Sequence, residues 1–186
     1  GFEASQIERS LEMNGLEPDA EKREERALAI FRQVAEPFAQ AIANAPDMLF
    51  VAAAGNSNQD VEFVQFLPSG FELPNQVAVG AVDQAGDETS FTSYGKTVLL
   101  HANGFEVDSY VPGGQRLKAS GTSMASPNVA NLAAKMLAIE PSLTPPEVIA
   151  LMREHAETTE DGRRFLIDPR ATIDALSAGR ARAERP

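Results

Sequence analysis

The chain has 186 residues, 43% of them apolar and 23% charged, with 13 Gly and 12 Pro, a size and composition that fit one globular domain and exclude disorder throughout. Sixteen Lys and Arg stand against 27 Asp and Glu, a net charge of -11, so a phosphate-binding surface would have to work against the overall field, and nucleic acid is not an expected partner. The absence of cysteine removes disulfides, thiolate nucleophiles and thiolate metal sites, but it leaves the compartment open.

Along the chain, Gly1 to Gly15 shows little periodicity. Asp19 then stands where a helix cap is wanted, and Ile30, Phe31, Val34, Phe38, Ala41, Ile42 and Ala45 recur at helical spacing. Pro37 falls inside that stripe and predicts either one bent helix or two short ones. Met48 to Ala54 is a continuous apolar run of strand length, expected to be buried on both faces and far too short to cross a bilayer. Gln76 to Val82 and Val98 to Leu100 have the same character, and a helix followed by buried strands points to a parallel α/β sheet. Glu106 to Val111 alternates before Pro112-Gly113-Gly114, as in an exposed strand or hairpin. From Ser123 the small and apolar residues Ala125, Val129, Ala130, Ala133, Ala134, Leu137 and Ala138 predict a helix buried around most of its circumference. Thr144-Pro145-Pro146-Glu147 is a capping box that opens a further helix, and Asp168-Pro169 opens one more, reaching Leu176.

Two segments carry chemistry. In Gly121-Thr122-Ser123-Met124-Ala125-Ser126-Pro127 a hydroxyl stands at a loop-to-helix junction, where unpaired N–H groups and the helix dipole stabilise negative charge. In Ala52-Ala53-Ala54-Gly55-Asn56 a buried strand ends in an amide that can donate to a developing oxyanion at the usual ligand-binding end of a parallel sheet. Taken singly, Ser123 fits an ordinary N-cap and Asn56 an ordinary turn residue.

Together, four segments in register resemble the subtilisin-like serine peptidases, the subtilase family: A-A-A-G-N at Ala52 to Asn56, L-P-N-Q-V-A-V-G-A-V-D at Leu73 to Asp83, F-T-S-Y-G at Phe91 to Gly95, and S-G-T-S-M-A-S-P at Ser120 to Pro127. Order and spacing agree from Met48 to Leu176. The resemblance implies a parallel-sheet α/β fold of subtilisin type, incomplete because the N-terminal strands and helices are absent. Residues 1–178 then form the C-terminal part of the catalytic domain, with 1–47 as a helical lead-in or insertion and 179–186 as a disordered tail. It implies that Ser123 is the nucleophile and that Asn56 and the Ser123 N–H bind the oxyanion. Ala53, Ala54 and Gly55 would line a pocket roomy enough for a large apolar substrate side chain.

The family's D-[ST]-G and H-G-T-x-V-A-G motifs, which supply the carboxylate and the base, are not found in this chain. His101 and His155 fit structural or exposed roles better than that of a base. The resemblance therefore implies a fragment that is inactive alone, whose partners are a peptide or protein substrate and the missing N-terminal half, with self-association as a further expectation. A pseudo-peptidase or interaction module, or a hydrolase of small esters or amides, would keep the same motifs. Asn128 and Asn131 stand where the family commonly has His and Gly. Val61, Phe63, Val64 and Phe66 fit either a pocket floor and rim or a loop that covers the core. Many relatives bind calcium, and the acidic stretch Glu3 to Arg26 leaves calcium open, with isolated surface acids as the alternative and no metal site assigned.

Overall fold

A computed structural model describes residues 2–63, 66–160 and 162–183. The N-terminal part is a helical pair, α1 (Ala4–Met13) and α2 (Ala20–Ala43). α1 carries only a short apolar stripe, Ala4, Ile7 and Leu11, of which Leu11 alone is fully buried, and reciprocal capping by Glu3 and Gln6 starts it. Phe2, just ahead of it, stacks on Phe31 of α2 with ring centroids 5.9 Å apart. Two acids of this region pair across the helices, Arg23 reaching Glu8 at 3.8 Å and Glu12 at 3.6 Å. No group of three or more His, Asp or Glu that could hold a metal ion occurs among the described residues.

As expected, the Asp19 carboxylate caps α2 by accepting from the Lys22 N–H at 3.0 Å. α2 runs unbroken through Pro37, but its buried face differs from the expected stripe. Ala27, Phe31 and Ile42 are buried, whereas Val34, Phe38 and Ala41 are exposed. α2 packs on α1, with Phe31 stacked on Phe2, and the rest of the apolar arc is more open, Phe38 lying edge-on to Phe71 with ring centroids 5.6 Å apart.

The main sheet has the order β1-β2-β3-β7-β6. β1 (Phe50–Ala53), β2 (Gln76–Val82) and β3 (Val98–Asn103) are parallel, as the apolar runs predicted. β7 (Phe165–Leu166) joins β3 in parallel, and β6 (Glu157–Thr158) closes on β7 antiparallel. Every residue of β2 is buried, which accounts for its unbroken apolar character. β1 was expected to be buried on both faces, yet only Ala52 is fully so, because β1 is an edge strand paired on one side alone. The start of the sheet is tied down by Asn75, whose Nδ2 donates to the carbonyls of Ile42 and Ala45 at 2.9 Å each and of Met48 at 3.2 Å.

One sheet face, carrying Val77, Val79, Ala81, Leu100 and Ala102, packs on α3 (Thr122–Ile139) and α4 (Pro145–Glu154). The other carries Ala78 and Val98 and is covered by Ala54, Val61 and Phe66. α3 is less enclosed than its composition implied. Ala125, Val129, Leu132, Ala133 and Met136 are buried, while Ala130, Ala134, Leu137 and Ala138 are exposed. No described element packs on that second face. The expected exposed hairpin is present as β4 (Val107–Tyr110) and β5 (Arg116–Ala119), a separate two-stranded sheet. The last helix, α5 (Pro169–Ala183), runs past Leu176 and through 179–183, five residues of the stretch expected to be disordered. Ala and Arg favour helix there, and Arg180 donates to the carbonyl of Ile139 at the end of α3. Residues 184–186 lie outside the described residues. No described helix is long and apolar enough to cross a membrane.

Candidate active site

β1 ends where α3 begins, and the end of β3 and the F-T-S-Y-G segment brace this corner. Gly121 donates its N–H to the Gly104 carbonyl at 2.8 Å, just past the end of β3. That approach requires glycine at position 104: a Cβ there would stand 2.7 Å from the Gly121 carbonyl oxygen and 2.8 Å from the Ala81 Cβ. Gly121 has φ +155°, and a side chain on it would stand 3.2 Å from Asn56 Nδ2. The F-T-S-Y-G segment braces the same corner, with the Ser93 N–H donating to the Gly55 carbonyl at 3.0 Å and Thr92 Oγ1 accepting from the Ala81 N–H at 2.8 Å.

Within this corner Thr122 fixes the orientation of Asn56. The Thr122 N–H donates to Asn56 Oδ1 at 2.9 Å, and the Thr122 hydroxyl donates to the same oxygen at 3.0 Å while accepting from the Gly55 N–H at 3.0 Å. A backbone N–H can only donate, so the amide must present its oxygen to Thr122 and turn Nδ2 away. Asn56 Nδ2 consequently has no acceptor among the described residues. Ser123, in the first turn of α3, is exposed, and neither its N–H nor its Oγ has a partner among the described residues. Two unpaired donors and a free hydroxyl thus share one solvent-exposed corner at the positive end of an 18-residue helix. Such a corner can hold an anionic oxygen beside an alcohol.

Ala53, Ala54 and Gly55 form the strand end leading into this corner. Ala53 is half-buried, Ala54 faces the core beneath the sheet, and Gly55 is buried with φ +112°. Thr122 was absent from the sequence-based candidates; its signal was its place between Gly121 and Ser123, where a hydroxyl reads equally well as part of a helix start.

Neither histidine is near this chemistry. His101 lies in β3, 1% exposed and packed so closely on Gly80 that a Cβ there would stand 2.4 Å from its ring. Its Nδ1 accepts from the Phe165 N–H at 3.3 Å, which places the proton of the neutral ring on Nε2. Burial, with Arg164 and Arg163 adding to it, pushes its pKa down to about 4, so His101 is neutral near pH 7. His155 caps the C-terminus of α4. Asn128 uses its amide to bind the carbonyls of Asn103 at 3.1 Å and Met124 at 3.2 Å, fastening the first turns of α3 to the end of β3.

A helix start carrying an exposed serine beside an amide at the end of a parallel strand is an arrangement suited to acyl transfer, and sequence comparison places the chain in a known group. The model of the subtilase family matches residues 20–171, and the chain belongs to this family of serine peptidases. It is 46% identical over 84 residues to a thermophilic serine proteinase of Bacillus sp. (strain AK1), an alignment covering 45% of this chain and 20% of that protein. It is 40% identical over 103 residues to the thermostable alkaline protease of Halalkalibacterium halodurans, covering 55% of this chain and 27% of the relative. The fold is similar to that of a Pseudoalteromonas arctica protease, with TM-score 0.67 and 24% identity over 75% of this chain and 46% of the other. The chain thus spans 20% and 27% of the length of those two curated relatives.

Proposed function

We propose that this chain is the nucleophile-bearing part of a subtilisin-type endopeptidase. In that reading Ser123 Oγ attacks the scissile carbonyl to form an acyl-enzyme. Asn56 Nδ2 and the Ser123 N–H receive the oxyanion, and the Ala53 to Gly55 strand end lies along the substrate. The observation that carries the reading is the pair of hydrogen bonds that the Thr122 N–H and hydroxyl donate to Asn56 Oδ1, which leaves Nδ2 as a preoriented donor beside a Ser123 without a partner among the described residues. Preorientation matters because a donor already in place costs no reorganisation when charge develops.

The base and its carboxylate come from outside this chain in this account, contributed by a segment that also covers the open face of α3. Ser123 without a base is an ordinary alcohol whose proton has nowhere to go at neutral pH. The 186-residue chain alone therefore does not turn over peptides, and joined to a segment carrying the Asp and His motifs it does. Two observations test this together: the coding sequence upstream of Gly1, read for those two motifs, and peptide hydrolysis by the purified chain with and without that segment. Inhibitor-sensitive turnover by the isolated chain, abolished by Ser123→Ala, would overturn the assignment of the base. An upstream region lacking the His motif would favour a binding role on the same fold.

A further inference from the structure

The loop between β1 and β2 reaches back beneath the substrate strand, and one side chain in it has a consequence for what the site can cleave. Val61 is fully buried, with its N–H bonded to the Tyr94 carbonyl at 2.9 Å, and Phe66 donates back to the Val61 carbonyl at 2.9 Å. Gly70 then donates to the Phe66 carbonyl at 2.7 Å, and Ser69 Oγ to the carbonyls of Ala54 at 3.3 Å and Phe66 at 3.4 Å. These bonds anchor the turn at Ala54, just past the end of β1. They bring the Phe66 ring against Gly55: Cε1 and Cζ stand 3.1 and 3.4 Å from where a Gly55 Cβ would be. The ring also rests on the cluster of Ala54, Val61, Ala78 and Val98, so it is held by packing and has no room to swing inward.

From this placement we infer that Phe66 closes the inner end of the pocket along Ala53, Ala54 and Gly55, and that the enzyme cleaves after small side chains such as Ala, Ser or Gly. The inference rests on the peptidase reading above, and it reverses the expectation that the small residues of this wall leave space for a large apolar group. The space those residues open is taken by a phenyl ring from the following loop. A substrate side chain longer than a methyl or hydroxymethyl group would have to displace a ring that the core holds in place, and overpacking of that kind is unfavourable.

The test uses the full-length protein of which we take this chain to be part, assayed with succinyl-Ala-Ala-Pro-X-p-nitroanilides in which X is Ala, Ser, Leu or Phe. The expected kcat/KM is at least about 10-fold higher for X = Ala than for X = Phe, the discrimination a poorly fitting group commonly produces in an apolar pocket. Phe66→Ala should shift the Ala-to-Phe ratio at least about 10-fold toward Phe, and Phe66→Leu, which keeps most of the packing, should shift it part of the way. An active enzyme that prefers X = Phe or Leu, or a ratio unmoved by both substitutions, overturns the assignment of Phe66 while leaving the peptidase reading intact. If Phe66→Ala does not fold, the wild-type profile and Phe66→Leu decide. No turnover of any of the four substrates defeats the peptidase reading itself, and this inference with it.

Discussion

At the end of β1, Asn56 Nδ2 and the Ser123 N–H have no partner among the described residues and meet solvent; in the middle of β3, His101 Nε2 also has no partner among them but is sealed in the interior. Nε2 stands 3.6 Å from Glu88 Oε1, which is equally without a hydrogen bond. The contrast is informative because an unpaired donor has different meanings in the two settings. Open to solvent, and with its orientation fixed by Thr122, it costs the free protein little and is available to a ligand. Buried, it is a cost of packing that persists only because the surroundings hold it, here Gly80 beneath the ring and the Phe165 N–H on Nδ1.

If that distinction is right, perturbing the interior site should change stability and leave chemistry alone. The largest effect expected is with pH. His101 has its pKa lowered from 6.5 to about 4, so between these values the unfolded chain binds more protons than the folded one, and stability is lost as pH falls through that window. A shift of this size corresponds to about 3 kcal/mol as an order of magnitude. Urea unfolding followed from pH 7 to pH 4 should show a steeper decline for the wild type than for His101→Gln, and parallel declines would mean that the histidine is not held neutral. A smaller effect is expected at the exposed corner. Thr122→Val removes the hydroxyl that bridges the Gly55 N–H and Asn56 Oδ1, leaving a buried donor unpaired at a cost of about 1–2 kcal/mol. The same substitution should lower kcat in the active enzyme, which His101→Gln should not. Equal effects of the two variants on kcat would erase the distinction between the sites.

The legible part of the fold was the part in which local pattern and tertiary role coincide. The apolar runs at Met48 to Ala54, Gln76 to Val82 and Val98 to Leu100 gave the parallel strands, because β2 in particular is enclosed on both faces. α1 escaped notice because its stripe is only three residues long, Ala4, Ile7 and Leu11, in a 10-residue helix. The apolar arcs of α2 and α3 were visible, but which residues they bury depends on neighbours that no periodicity encodes; Val34, Phe38, Ala134 and Leu137 are exposed. At the candidate site, Ser123 and Asn56 could be singled out from their motifs. Thr122 could not be given a role in the same way, since it acts across 66 residues of sequence on Asn56; Phe66 could be read only as pocket lining or core cover, because it reaches Gly55 through a loop whose path no motif describes.

The most direct test of the account is to measure kcat and KM for Asn56→Ala in the peptidase proposed above. The preoriented amide predicts a fall in kcat of about 100- to 1,000-fold with KM within a few-fold of wild type, a magnitude known from removing this donor in a subtilisin and not one the present geometry yields by itself. A kcat within two-fold of wild type would contradict the account, since the donor that Thr122 holds in place would then have no part in stabilising the oxyanion.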